Sequence, residues 1–161
     1  MSRRAYIGLG ANLGEPALQL QQALERMQTL GTMVAVSPLY RSAPMGPSDQ
    51  PDYCNAACVL HSMLEPMALL QSLLSIERAC GRVRDGRRWG PRRLDLDLLH
   101  VEGVTCDVPG LTLPHPGIAQ RNWVLWPLAD IAPQLVVPGV GRIAAAAAAI
   151  GREGLSPWHC G

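Results

Sequence analysis

The chain contains no lysine: all fourteen of its basic residues are arginine. That absence excludes a P-loop lysine and any Schiff-base mechanism. There is no phenylalanine either, and tryptophan and tyrosine make up only 4% of the 161 residues. No apolar run is long enough to span a bilayer. The five cysteines (Cys54, Cys58, Cys80, Cys106, Cys160) are odd in number and lack a paired zinc spacing. Cys54 and Cys58 read as two buried small residues of a strand, and reduced thiols are expected. Met1-Ser2-Arg3-Arg4 runs straight into an apolar segment, so no secretory leader is expected and the location expected is cytoplasmic. A net charge of +1 provides no global attraction to nucleic acid or to an anionic membrane. With 48% apolar residues, no internal repeat and no linker, residues 1–161 are expected to form a single soluble domain. No apolar stripe demands a dimer, so a monomer is expected.

What the chain does have is concentrated in residues 89–98, Trp-Gly-Pro-Arg-Arg-Leu-Asp-Leu-Asp-Leu. Leu94, Leu96 and Leu98 alternate with Asp95 and Asp97, the period of a half-buried strand. Such alternation sets both carboxylates on one face, with Cα atoms roughly 7 Å apart, close enough to converge on a small metal ion. Just upstream stand Arg82, Arg84, Arg87, Arg88, Arg92 and Arg93, interleaved with Gly86, Trp89, Gly90 and Pro91. An Asp-x-Asp strand or a basic loop alone is usually a solvated surface. Together they suit a phosphorylated, metal-bound substrate under a mobile cover.

The remaining elements follow from periodicity and punctuation. Ala5–Gly10 reads as a first strand, and Pro16 suits the first turn of a helix. That helix carries Leu20, Ala23, Leu24, Met27 and Leu30 and closes at Gly31. Thr32–Tyr40 reads as one strand, 41–51 as a loop rich in proline and glycine, and Asp52–Ser62 as another strand. Pro66 opens a second helix in which Leu70, Leu73, Leu74 and Glu77 share a side before Gly81. The acidic strand runs from Leu94 to about Val101. The order βαββαβ predicts an α+β fold, a ferredoxin-like antiparallel sheet with helices on one face. C-terminal additions follow: a hairpin near 104–113, a short helix over 123–131, and a surface helix at the alanine run 144–149.

Several blocks, taken in order, resemble one family. They are Tyr6-Ile7-Gly8-Leu9-Gly10-Ala11-Asn12-Leu13-Gly14, Gln50-Pro51-Asp52-Tyr53-Cys54-Asn55-Ala56, Gly81-Arg82-Val83-Arg84, Arg88-Trp89-Gly90-Pro91-Arg92 and Leu94-Asp95-Leu96-Asp97. Leu113-Pro114-His115-Pro116, Arg121 and Leu125-Trp126-Pro127-Leu128 complete the set. The chain resembles the 6-hydroxymethyl-7,8-dihydropterin pyrophosphokinases of folate biosynthesis, across nearly its whole length. The resemblance implies an ATP-dependent diphosphotransferase that moves pyrophosphate from ATP to the pterin hydroxymethyl group and releases AMP.

It also implies roles for particular residues. Asp95 and Asp97 would hold two Mg²⁺ ions, with Arg82 and Arg92 offsetting charge on the transferred group. Arg84, Arg88 and Trp89 would belong to a loop closing over the substrates. Tyr53 and Trp123 would stack on the pterin, Asn55 would read its edge, and backbone at Ser42, Ala43 and Met45 would complete that edge. Glu77, Arg84, Arg88, Trp89, Arg92, Leu98, Thr112, His115 and Arg121 would serve ATP. His61, His100 and His159 match no pattern. The chain departs from the family at Trp123, where Phe is common, at Ser42-Ala43 in place of Thr-Pro, and at Leu74, often polar. Two other readings remain: an RNA- or phosphate-binding module of RRM-like topology, and a metal-dependent nucleotidyl transferase with a different acceptor.

Overall fold

The computed structural model describes residues 2–43, 51–81 and 94–159. The first strand, β1 (Arg3–Ala11), is buried continuously from Ala5, as a strand covered on both faces must be. Helix α1 (Pro16–Met27) has proline in its first turn and buries Leu20, Ala23 and Met27, the stripe its spacing predicts. Two short strands, β2 (Thr32–Val36) and β3 (Tyr40–Ser42), replace the single strand expected over Thr32–Tyr40. Pro38 explains the break, because it has no N–H for a ladder. Next to it, Ser37 pairs with Ala57 of β4 (Tyr53–Ser62) in another way. Its N–H donates to the Ala57 carbonyl at 2.8 Å, and its Oγ accepts from the Ala57 N–H at 2.9 Å. Val36 lies opposite Cys58 and Tyr40 opposite Asn55, so the interrupted strand carries one residue more than its partner.

Helix α2 (Pro66–Gly81) buries Leu69, Leu73 and Ile76. This corrects the expected side: Leu70 and Leu74 are only half-buried. A helix this rich in leucine offers several candidate stripes, and contact with the sheet chooses among them. Strand β5 (Asp95–Val101) follows, then the hairpin β6 (Cys106–Val108) and β7 (Leu111–Leu113). After a short 3₁₀ turn at Ile118–Gln120 come α3 (Asn122–Ile131), the hairpin β8 (Val136–Val137) and β9 (Gly141–Arg142), α4 (Ile143–Ile150) and β10 (Leu155–Pro157).

The main sheet runs β10-β3-β4-β1-β5, with β2 also on β4, and each of its pairings is antiparallel. On one face α1 and α2 pack over Ile7, Leu9, Cys58, Leu60, Leu96 and Leu98. On the other, α3 and α4 pack over Tyr6, Ala57, Val59 and Leu99. The expectation of helices on one face is therefore corrected: the C-terminal additions cover the second face. The alanine-run helix is likewise no mere surface helix, since Ile143 and Ala147 are buried in that second core. Both covers rest on the same central strands β1 and β4, whose residues alternate between the two cores.

Candidate functional site

The second face of the sheet is not covered along its whole length. At one end Tyr6, Val59 and Leu99 meet α3 and α4. Toward the other end the alternation of β1 brings Gly8 and then Gly10 to the same face, opposite Asp97 and Asp95 of β5. An added Cβ at Gly8 would stand 3.4 Å from Leu99, and one at Gly10 would stand 3.2 Å from Asn55 Nδ2. A cavity of about 200 Å³ lies there, lined by Gly8, Gly10, Ser42, Ala43, Tyr53, Asn55, Asp95, Asp97, Arg121, Trp123 and Val124 among others. Backbone forms its floor, carboxylates one wall, and rings from β4 and α3 line it. The two glycines line the cavity, and the spacing argument passed over them. Their signal was present as glycine at a two-residue interval in an otherwise apolar strand.

Asp95 and Asp97 are half-buried on β5 while Leu96 and Leu98 are buried behind them, as the alternation predicts. The alternation ends at a bulge: Leu98 pairs with Ile7 and His100 with Tyr6, leaving Leu99 as the extra residue. Leu99 and His100 consequently both face the second core side, where the His100 ring stacks on Tyr6 at 5.8 Å between centroids. Burial pushes the His100 pKa below its ordinary 6.5, with Glu102 opposing the shift. His100 sits apart from the cavity lining.

Across the cavity, Asn55 and Ser42 are both buried, and the Ser42 hydroxyl donates to Asn55 Oδ1 at 2.5 Å. Arg121 precedes α3, and its guanidinium lies so close over Gly117 that an added Cβ there would be 2.9 Å from Arg121 Cζ. Trp123 and Val124 enter the lining from the first turn of α3. Tyr40 donates to Asp130 Oδ2 and so ties β3 to α3 across the same face. Burial first, and then this hydrogen bond, push the Tyr40 phenol up to about 12.

Four residues expected to serve ATP lie outside this cavity lining, on β5, at its outer edge or on the β6–β7 hairpin. Glu77 reaches across from α2, where its Oε2 accepts from the Leu96 N–H at 2.7 Å, between the two aspartates. Leu98 puts its side chain in the core. Its backbone, two residues beyond Leu96, points to the same outer edge. Thr112 is exposed on β7, with its hydroxyl 3.4 Å from Asp107 Oδ1. His115 donates its backbone N–H to the Leu99 carbonyl at 2.8 Å. Its Nδ1 accepts from the Gly117 N–H at 3.0 Å, so a neutral ring carries its proton on Nε2. Met45, Arg82, Arg84, Arg88, Trp89 and Arg92 lie outside the described residues. Among the described residues, no group of three or more His, Cys, Asp and Glu could hold a metal ion. Nor is any helix among them long and apolar enough to cross a membrane.

An antiparallel sheet with helices on both faces, opening at one end into a ring-lined cavity with a carboxylate wall, makes an α+β domain with a cavity of small-ligand size. Residues 6–133 match the family model described as 7,8-dihydro-6-hydroxymethylpterin-pyrophosphokinase (HPPK), and the chain belongs to that family. It is 46% identical over 157 residues to the 2-amino-4-hydroxy-6-hydroxymethyldihydropteridine pyrophosphokinase of Pseudomonas aeruginosa, covering 96% of each chain. To the enzyme of that name from Methylorubrum extorquens it is 48% identical over 138 residues, covering 84% of this chain and 87% of that one. Among solved structures, an HPPK-DHPS variant of Plasmodium falciparum crystallised with pterin and p-hydrobenzoate shares the fold, with a TM-score of 0.76 at 14% identity. The superposition covers 98% of this chain and 48% of that longer one.

Proposed function

We propose that the chain transfers pyrophosphate from ATP to the hydroxymethyl group of 6-hydroxymethyl-7,8-dihydropterin, releasing AMP, as a step of folate biosynthesis. The observation that carries the reading is the single cavity lining that joins Tyr53, Asn55 and Trp123 to Asp95 and Asp97. A flat heterocycle needs ring faces and an amide at its edge, and phosphoryl-type transfer needs carboxylates and cations beside it. In this reading Tyr53 and Trp123 hold the pterin by its faces, and Asn55 binds its edge with the backbone of Ser42, Ala43 and Met45.

The donor set at β5 fits magnesium. Two carboxylates on one strand face are what Mg²⁺ takes from protein when substrate phosphates supply further oxygens, whereas a structural zinc site would need four N or S ligands. Asp95 and Asp97 would hold it, two ions by family resemblance, and when bound the metal supplies charge neutralisation on the phosphates. Glu77 fixes the strand between them through the Leu96 N–H. Arg121 offers a guanidinium at the cavity, and Arg82 and Arg92 are assigned to the transferred group. Arg84, Arg88 and Trp89 are assigned to closure and water exclusion. The β5 outer edge, with Leu98 backbone, Thr112 and the His115 Nε2–H, is assigned to the nucleotide.

We read the unit that carries the site as ferredoxin-like. Taking β2 and β3 as one interrupted strand, its four strands stand in the order 2-3-1-4, which supports that reading. The RNA-module alternative needs an open sheet face, and here one face is covered by α1 and α2 and the other by α3 and α4 except at the cavity. The test is AMP release from MgATP with and without 6-hydroxymethyl-7,8-dihydropterin. Pterin-dependent AMP matched by pyrophosphorylated pterin is expected, and Asp97→Ala should abolish it. Full turnover in that variant would overturn the metal assignment, and no pterin-dependent AMP from the folded wild type would overturn the function.

A further inference from the structure

Trp123 reaches the cavity from the first turn of α3, and that turn has no side-chain cap: Arg121 precedes it in an extended conformation. Something else must fix where the turn sits. Asn122 and Trp126 stand four residues apart, one above the other on the helix, and both reach out to the turn that follows α4. Asn122 Nδ2 donates to the Glu153 carbonyl at 2.9 Å and to the Gly151 carbonyl at 3.3 Å. Trp126 Nε1 donates to the same Gly151 carbonyl at 2.9 Å. Carbonyl oxygens only accept, so the amide can turn only its NH₂ to them, and an indole N–H can only donate. The Arg152 guanidinium lies over the Trp126 ring, 4.9 Å from its centroid. Gly151 makes the arrangement possible. Its φ of 85° and ψ of 178° belong to a region that side chains all but exclude. In that conformation its carbonyl meets α3 while its N–H donates to the Ala147 carbonyl of α4 at 3.0 Å.

Asn122 and Trp123 are one helical step apart, about 100° around the axis, so a latch on the first sets the direction of the second. We infer that Asn122, with Trp126 beside it, is a positioning residue that sets the roll of α3 and thereby holds the Trp123 ring at the cavity. The site then depends on residues 151–153, which no motif of the sequence singles out. Arg121 is braced separately, with its guanidinium against Gly117, so the latch bears on the ring wall of the cavity and not on its cation. The inference rests on the pterin reading of the same cavity and deepens it.

Binding and fluorine NMR together test it. 6-Hydroxymethyl-7,8-dihydropterin is titrated with Mg²⁺ and α,β-methylene-ATP present, for wild type, Asn122→Ala, Asn122→Asp and Trp126→Phe. The nucleotide analogue is titrated by itself with Mg²⁺ for comparison. Loss of the latch should weaken pterin binding about three- to tenfold in Asn122→Ala and leave nucleotide affinity unchanged. Asn122→Asp keeps the shape but sets a carboxylate against two carbonyl oxygens, so its loss should be at least as large. Trp126→Phe keeps a ring, removes the other donor, and serves even if a change at Asn122 fails to fold; it too should weaken pterin binding. With 5-fluorotryptophan incorporated, the Trp123 resonance, assigned by its loss in Trp123→Phe, should shift in ligand-free Asn122→Ala while that of Trp158 stays. Wild-type pterin affinity in the three variants would overturn the inference, as would equal losses of pterin and nucleotide affinity, which mark a general structural defect. An unmoved Trp123 resonance would overturn it as well. Wild type that binds no pterin would instead overturn the functional reading, and the fluorine shift would still decide the latch.

Discussion

At Gly10 a single added methyl would stand 3.2 Å from Asn55 Nδ2 and 4.0 Å from Tyr53 Cδ1. The group that has to yield is the amide, so an over-packing cost of about 1–3 kcal/mol falls on the binding geometry. Gly10→Ala is expected to weaken pterin binding, measured by titration, while nucleotide affinity and the thermal midpoint hold. Residue chemistry was unevenly legible in the sequence. Asp95 and Asp97 were readable because a two-residue period encodes their shared face. Tyr53, Asn55, Arg121 and Trp123 come from separate segments of the chain, and nothing in local spacing joins them. Only the ordered family resemblance singled them out, and the folded sheet brings them to one cavity. The Ser42–Asn55 hydrogen bond was illegible, since it depends on the diagonal of a ladder whose register only the folded sheet defines.

Among the elements, the turn from α1 into β2 is the tightest fit. An added Cβ at Gly31 would lie 2.3 Å from the His61 carbonyl oxygen and 3.0 Å from Ser62 Cα, both backbone atoms that cannot rotate away. Ser62 Oγ also donates to the Leu30 carbonyl at 2.7 Å, pinning the turn. Gly31→Ala is expected to destabilise the fold by about 1–3 kcal/mol in urea denaturation, without a change in the slope. The contact between β3 and α3 sets a pH limit. The Tyr40 phenol ordinarily ionises near 10 and is raised to about 12, by burial first and by Asp130 second. The folded state therefore keeps a proton that the unfolded chain releases. Its contribution is complete below pH 10 and is lost as pH rises toward 12. Denaturation followed from pH 9 to 12 should show that loss, and Tyr40→Phe should remove its slope. Elements with clean punctuation, such as α1 after Pro16, were legible to within a few residues. The split at Pro38 was signalled by the proline itself. The two-residue strands β8 and β9 and the strap β10 had no period long enough to read.

For the molecule as a whole, two cores share the strands β1 and β4 between them. Leu73 belongs to the core under α2 and Leu128 to the core under α3, each fully buried. Either leucine changed to alanine should cost about 2–5 kcal/mol. If the chain folds as one domain, both changes move one and the same transition, seen as coincident tryptophan-fluorescence and circular-dichroism curves. Two separated transitions would refute that expectation. The second core was the least legible part, because α3 and α4 cover a sheet face that the βαββαβ order leaves open. The cavity floor made by Gly8 and Gly10 has a consequence for inhibitor design. A protein commonly escapes a tight ligand by trimming a side chain that touches it, but this floor has no side chain to trim. Any substitution there takes room away from inhibitor and substrate alike. A compound pressed against that backbone is one from which the enzyme can retreat only at its walls.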